Sequence, residues 1–463
     1  MRLNYFNFKR FEDKILLTND FGCYVFVTPE EFSQLLHKSI DQESSLGKEL
    51  YKKHFVYYDT NLEFSAASKY AMRASKAYLA SGTSLHIFVV TTACNAGCVY
   101  CQANNGVTTP SLYMSKEIAE KAIDIALQSP ETELSFEFQG GEPLLNFEII
   151  KHIVTYAEKK KDWHEIKYSI VTNLTLLTDE MIDFFEANRI NVSTSIDGPC
   201  AVHNLNRPLK NGNGSYKKVL DSIKKLQNRN IHIGAIQTTT KFSLRYPKEI
   251  VQTYKEIGFD SIFIRPLTPL GKATRNWESI GYTPEEFLAF YRVAVDELLR
   301  INENGYFLRE DQAAILLNKL HGESLNYMEL RSPCGAGVGQ LAYYADGNIF
   351  TCDEGRMLYE MGDHTFQLGN VFASTYKELI QSSTCKAVCA SSILETIPGC
   401  CDCVYQPFCG TCPVVSYAKT HDIIEKAPRG YKCRIFSGIL DYIFDLILKS
   451  DAETKRVLNS WSN

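Results

Sequence analysis

The chain has 463 residues, 45% hydrophobic and 22% charged, with a formal net charge of −5 and a pI near 6.1. This is ordinary globular composition for two or three domains, and the slightly acidic balance excludes the polybasic signature of a nucleic-acid binder. No run approaches the roughly 18 apolar residues of a membrane span, and the opening MRLNYFNFKRFEDK lacks the apolar stretch of an export signal, so the expectation is a cytoplasmic protein without a membrane partner.

Residues 1–80 read as a small α+β module. LNYFNFKRF, KILLTND and GCYVFVT suit short strands, and Asn19-Asp20 and Gly22 mark a turn between the last two. Thr28-Pro29-Glu30-Glu31 then opens a helix with a cap, a proline at its first position and acids facing the dipole.

From residue 84 strands alternate with helices. SLHIFVVTT, LSFEFQG, KYSIVTN, INVSTSIDG, IHIGAIQTT and DSIFIRP are the strands; helices are expected over 115–128, 145–160, 178–188, 215–229 and 245–257. In LSFEFQG, Leu134, Phe136 and Phe138 share one face. The pattern predicts an α/β fold, a partial (β/α)6 TIM-like barrel with right-handed crossovers and functional groups at the C-terminal strand ends. Residues 84–330 comprise this barrel and a mainly helical linker, 331–435 a cysteine-rich domain, and 436–463 a C-terminal segment whose helix spans about 434–448.

Fifteen cysteines are the unusual feature. Three lie at 94–101 and ten between 334 and 433; Cys23 and Cys200 stand apart and read as ordinary thiols. Without an export signal, clustered thiols point to metal rather than disulfides. Cys94-x3-Cys98-x2-Cys101 follows the first barrel strand. Three thiolates can ligate three irons of a [4Fe–4S] cube and leave the fourth open, and Gly97 is expected to relieve crowding in the loop. A zinc site with a distant fourth ligand is the alternative for the cysteines alone.

With Tyr100 before the last cysteine, the segment resembles the radical S-adenosylmethionine superfamily, whose signature is C-x3-C-x-aromatic-C. The resemblance implies that the methionine amine and carboxylate of S-adenosylmethionine (AdoMet) bind the open iron and that Tyr100 packs near the adenine. It also implies that one electron from the cluster splits the S–C5′ bond, giving methionine and a 5′-deoxyadenosyl radical.

Supporting motifs end the following strands. Gln139-Gly140-Gly141-Glu142-Pro143 resembles the family's GGEP element; its glycines let backbone approach a ligand, and Glu142 suits the methionine ammonium. Thr172 and Asn173 end the third strand. Ser193, Ser195 and Asp197 alternate along the fourth and suit ribose and carboxylate groups, and Asp197-Gly198-Pro199 resembles the family's SxDG turn. His203 and Arg207 resemble its H-x3-R element, with Arg207 a candidate for the carboxylate or the substrate and Arg265 a further one. A structural ion pair is the plain alternative for either arginine.

The C-terminal cysteines, taken alone, suit a zinc ribbon. Beside the first cluster they resemble the SPASM extension of peptide-modifying radical enzymes, which holds two auxiliary [4Fe–4S] clusters. The resemblance implies Cys400, Cys403, Cys409 and Cys433 on one, and Cys334, Cys352 and Cys412 on the other. Cys409-Gly410-Thr411-Cys412 is one residue short of the family spacing, and no cysteine closely follows Cys334, so the second cluster has an open iron or borrows Cys385, Cys389 or Cys401. Asp353 matches the place where anaerobic sulfatase maturases keep a catalytic proton acceptor; a hydrogen bond near the cluster is the plain alternative.

These resemblances cover roughly residues 84–435 and imply a precursor peptide as substrate, a reducing donor such as flavodoxin or ferredoxin, and a partner maturase. The opening MRLNYFNFKRFEDKILLTNDFG is similar to the His-Xaa-Ser system radical maturases, and the first module suits either a peptide grip by strand addition or a purely structural cap. Formylglycine formation, thioether crosslinking and a non-catalytic zinc scaffold are the competing readings.

Overall fold

The computed structural model describes residues 1–57, 68–70, 72–74, 76–104, 110–322, 328 and 330–462; the parts of the expected module and linker at 58–67 and 323–327 lie outside the described residues.

The N-terminal strands are β1 (Arg2–Leu3), β2 (Asn7–Phe11), β3 (Lys14–Thr18), β4 (Tyr24–Val27) and β5 (Val56–Tyr57). β2, β3 and β4 form an antiparallel sheet with β3 central, and β1 pairs with β5. The helix Pro29–Leu36 begins at the expected cap: Thr28 Oγ1 accepts from Glu31 N while the Glu31 carboxylate accepts from Thr28 N. A second helix spans Ser45–Lys52.

The module is docked through aromatic rings. Phe444, in the helix Tyr431–Lys449, is fully buried and meets the rings of Tyr24 at 5.3 Å, Phe26 at 6.1 Å and Phe11 at 6.3 Å. On its other side are Tyr405 and Phe408 of the cysteine-rich region. Polar contacts follow the same seam: Thr18 Oγ1 donates to the Val404 carbonyl at 2.7 Å, and Asn7 Nδ2 to those of Cys401 and Cys403.

The main sheet contains β6 (Leu85–Thr91), β7 (Glu133–Gly140), β8 (Glu165–Val171), β9 (Asn191–Ser195), β10 (Ile233–Thr238), β11 (Ser261–Arg265) and β12 (Arg309–Glu310). They lie in sequence order and all run parallel. The six expected strands are present, joined by helices, and the α/β partial-barrel expectation holds. β6 is buried on both faces, as its continuous apolar run requires, whereas β7 alternates buried and half-exposed residues.

The cysteine-rich region extends this sheet. β13 (Gln340–Tyr343) adds to the free edge of β6 in parallel, and β14 (Asn348–Phe350) and β15 (Gln367–Asn370) continue antiparallel. The hydroxyl of Tyr343 lies 3.0 Å from Nδ1 of the fully buried His86, tying β13 to β6. The C-terminal segment is two helices, Tyr431–Lys449 and Ala452–Trp461, rather than one. The second is short, but it buries Val457, Leu458 and Trp461 against the body. Among the described residues no helix is long and apolar enough to cross a membrane.

Candidate active site

A cavity of about 660 Å3 opens at the C-terminal strand ends. Cys94, Cys98 and Cys101 all reach it from the loop after β6. Three segments clamp that loop. Gly141 N donates to Thr91 O and Glu142 N to Ala93 O, each at 2.8 Å; Gly97 N donates to Pro208 O at 2.7 Å and Val99 N to Asn206 O at 2.9 Å; Lys272 N donates to Cys101 O at 2.9 Å.

The glycines divide sharply in what they do. A Cβ on Gly141 would lie 2.3 Å from Ala93 O, and one on Gly140, whose φ is +155°, would lie 2.2 Å from Thr91 O. The pair therefore lets β7 close against the root of the cysteine loop rather than merely against a ligand. A Cβ on Gly97 would meet Pro208 O at 3.6 Å, an ordinary contact, so the expected crowding relief at Gly97 is not found.

Burial pushes the Cys94 thiol up to about 12 and the Cys101 thiol to about 11, with Cys98 raising both and Lys272 pulling Cys101 back. Two buried thiols that resist ionising suit a bound cation, which supplies the charge that deprotonates them. Among the described residues no three His, Cys, Asp or Glu side chains converge as ligands of a single ion would. Thiolates on a four-iron cluster each take a different iron and need no such convergence.

Glu142 is buried beside the loop. Its carboxylate accepts from Thr172 Oγ1 at 2.5 Å, Asn173 N at 2.8 Å and Leu144 N at 3.1 Å. Burial raises its pKa and these donors oppose the rise. Asn173 continues the network: its Nδ2 donates to Asn95 Oδ1 at 2.9 Å, and Asn95 Nδ2 donates to Thr175 Oγ1 at 2.7 Å. Asn95 and Thr175 were not read as site residues, because spacing between sequence segments gives no sign of this closure.

Tyr100, Ser193, Ser195 and Arg207 also line the cavity. Asp197 does not. β9 ends at Ser195, so the alternation that places both serines inside stops short of Asp197, which is fully buried behind Tyr100. Its carboxylate accepts from the Tyr100 hydroxyl at 2.8 and 3.0 Å, and Arg207 Nη1 donates to that hydroxyl at 2.7 Å. Asp197, expected at the cofactor, thus stands in the structure as a buried support for Tyr100 and not on the cavity wall. His203 is also buried, with Nε2 3.0 Å from Ser215 Oγ, and it supports the turn rather than facing the cavity.

The opposite wall carries Asp353, Glu354, Arg356 and Arg265. Asp353 begins the helix Asp353–Glu360 and accepts from Arg356 Nε at 2.7 Å; Arg356 also donates to Gln139 Oε1 at 3.1 Å. Arg265 lies 3.8 Å from Glu354. Gln139 and Arg356 were missed individually, although the polar face of β7 was legible from alternation.

The remaining cysteines form separate groups. Burial raises the Cys352 and Cys412 thiols, Cys334 adds to both and Cys412 to Cys352, and Gly355 N donates to Cys352 Sγ at 3.3 Å. Cys400, Cys403, Cys409 and Cys433 form another mutually perturbing set; burial leads in pushing Cys400 and Cys433 up to about 12 and Cys409 to about 11. Cys385 and Cys389 hydrogen-bond each other one turn apart on the helix Ser383–Ala390; that bond lowers the Cys389 thiol to about 7, with the charge of Arg331 adding to it. Cys401 joins the module seam through its carbonyl.

The sequence model of the Radical SAM superfamily matches residues 88–257. A serine-type anaerobic sulfatase-maturating enzyme of Bacteroides thetaiotaomicron is 26% identical over 351 residues, covering 71% of this chain and 82% of that protein. The radical SAM cyclopropyl synthase TigE of Paramaledivibacter caminithermalis is 26% identical over 346 residues, covering 70% of this chain and 68% of that protein. Among solved structures, native anSMEcpe with bound AdoMet has a similar fold, with a TM-score of 0.68 at 21% identity, covering 82% of this chain and 100% of that one. Streptococcus suis SuiB bound to precursor peptide SuiA has a TM-score of 0.55 at 15% identity, covering 92% and 97%.

Proposed function

Because the chain is an enzyme of the radical S-adenosylmethionine superfamily, with a [4Fe–4S] cluster and AdoMet as cofactors, we propose that it oxidatively modifies a side chain of a gene-encoded precursor peptide. The observation that carries this reading is the three-cysteine loop facing a polar cavity of about 660 Å3, with two further cysteine groups in the adjoining region. When bound, cluster and AdoMet supply a carbon radical able to take a hydrogen atom from an unactivated carbon.

The chain's own residues hold and orient the reactants. Cys94, Cys98 and Cys101 ligate the cluster. The backbone at Gly140 and Gly141, with Glu142, receives the methionine ammonium, and Thr172 and Asn173 fix the Glu142 carboxylate. Ser195 and Arg207 meet the ribose and carboxylate ends, while Asp197 holds Tyr100 for the adenine. Cys400, Cys403, Cys409 and Cys433 hold one auxiliary cluster, and Cys334, Cys352 and Cys412 the other. Asp353 stands at the mouth as a proton acceptor, restrained by Arg356.

The N-terminal sheet grips the peptide by strand addition; what supports a grip beside an auxiliary group is the sheet's contact with the carbonyls of Cys401, Cys403 and Val404. A flavodoxin- or ferredoxin-type donor supplies electrons, and a partner maturase acts with the enzyme. The support for a peptide partner is that SuiB was solved with a precursor peptide bound.

Formylglycine formation is the second reading, favoured by the likeness to sulfatase-maturating enzymes. Anaerobic purification followed by mass spectrometry separates the possibilities. A brown protein that removes two hydrogens from a co-expressed neighbouring peptide without creating a hydrazine-reactive aldehyde supports the proposal. An aldehyde on a sulfatase peptide supports the second reading. Colourless protein carrying zinc would end both.

A further inference from the structure

The proposed chemistry leaves two carboxylates of the cavity wall unused, Glu354, which faces Arg265 at 3.8 Å, and Glu137. Along β7, Leu134, Phe136 and Phe138 are buried in the core, and the alternate Ser135, Glu137 and Gln139 face the cavity. Glu137 lies one pleat deeper than Gln139, in register with Ile87 of β6 and Ser169 of β8. It accepts from Gln139 Nε2 at 2.5 Å and from Ser169 Oγ at 3.5 Å, both uncharged donors.

Each other carboxylate on the wall is answered. Glu142 has three donors, Asp353 has Arg356 at 2.7 Å, and Glu354 has Arg265 at 3.8 Å. Among the described residues no ion pair includes Glu137. Glu137 is half-buried with no cation in direct contact among the described residues, so it keeps the capacity to take one from an arriving partner. Burial raises the pKa of Glu137 most and the nearby Asp353 adds to it, while the hydrogen bonds from Gln139 and Ser169 and the charge of Arg265 pull it back; the net shift is upward.

We propose that Glu137 is a specificity residue that receives a basic side chain, lysine or arginine, from the substrate peptide, so that the residue brought to the site is cationic. This rests on the reading of the chain as a peptide-modifying enzyme. The AdoMet ammonium has its own acceptors higher on the same strand, at Gly140 to Glu142, which leaves Glu137 to the substrate.

The test uses the anaerobic holoenzyme with saturating AdoMet and fluorescein-labelled Gly-Gly-Xaa-Gly-Gly peptides, where Xaa is arginine or its uncharged isostere citrulline. Fluorescence anisotropy should show the arginine peptide binding about tenfold more tightly, the scale of a partly desolvated charge pair. In Glu137→Gln the two affinities should come within about twofold, once the charge term is gone. Equal affinities in the unaltered enzyme would overturn the proposal with no variant needed. So would a preference that survives Glu137→Gln, or a loss of AdoMet affinity in that variant large enough to account for the drop. Formation of 5′-deoxyadenosine by the unaltered enzyme tests the underlying reading separately. Cleavage without arginine preference sinks only this inference, and arginine preference without cleavage sinks only the reading.

Discussion

The guanidinium of Arg207 donates at 2.7 Å to the hydroxyl of Tyr100, and the same hydroxyl donates to the buried carboxylate of Asp197. The aromatic residue of the cysteine loop is thus fixed by the turn after β9 and the residue closing the next helix. Tyr100→Phe breaks both links while keeping the ring. AdoMet affinity should fall about tenfold, the loss of roughly 1.4 kcal/mol of hydrogen bonding, and equilibrium dialysis would detect it. Unchanged affinity would remove the network from the cofactor site.

Cys98→Ala should abolish reductive cleavage of AdoMet and leave the C-terminal iron in place, because the other cysteine groups draw on different elements. Iron analysis with a 5′-deoxyadenosine assay checks it. Normal cleavage would refute the ligand assignment.

The glycines give opposite expectations. Gly97→Ala should leave stability within about 0.5 kcal/mol, since its Cβ finds an ordinary contact at 3.6 Å. Gly141→Ala forces a carbon to within 2.3 Å of Ala93 O and should displace the cysteine loop. Reconstituted iron per chain and urea midpoints should separate the two variants; similar behaviour contradicts the packing argument.

Phe444→Ala should destabilise the protein by about 3–5 kcal/mol, the range for emptying a buried aromatic site. It should also raise proteolysis within residues 1–57, because Phe11, Tyr24 and Phe26 lose their shared partner. Denaturant unfolding and limited proteolysis read the two effects.

Stability should fall with acidification below pH 6.5. Burial lowers His86 and His203 from 6.5 to about 3. In that window the unfolded chain binds protons that the folded chain excludes, so stability is full above 6.5 and is lost as pH falls towards 3. Each histidine contributes at most about 1.4 kcal/mol per pH unit. His86→Gln should reduce the slope of the urea midpoint between pH 7 and 5.5; an unaltered slope would show that His86 is not buried neutral.

The order of the barrel strands and the location of the cysteine loop were legible because they depend on local patterns. An apolar run reads as a buried strand, period-two alternation reads as a half-polar one, and the short Cys94-x3-Cys98-x2-Cys101 spacing needs only one loop. Asp197 and Gly97 show where such reading stops. The first was carried inside by an alternation that ends with β9 at Ser195, and the second was credited with crowding that belongs to Gly140 and Gly141.

Sequence by itself determined the strand and helix order of the barrel, the cysteine loop after its first strand and the grouping of polar residues at strand ends, since hydrophobic period, turn residues and cysteine spacing act over a few residues. Tertiary structure alone decided that β13 joins β6, that Asn95 closes on Asn173, that Phe444 seats the first module and that Glu137 faces the cavity. Those contacts form between segments tens to hundreds of residues apart, where the choice of partner is made by packing and by which polar groups burial leaves to be satisfied.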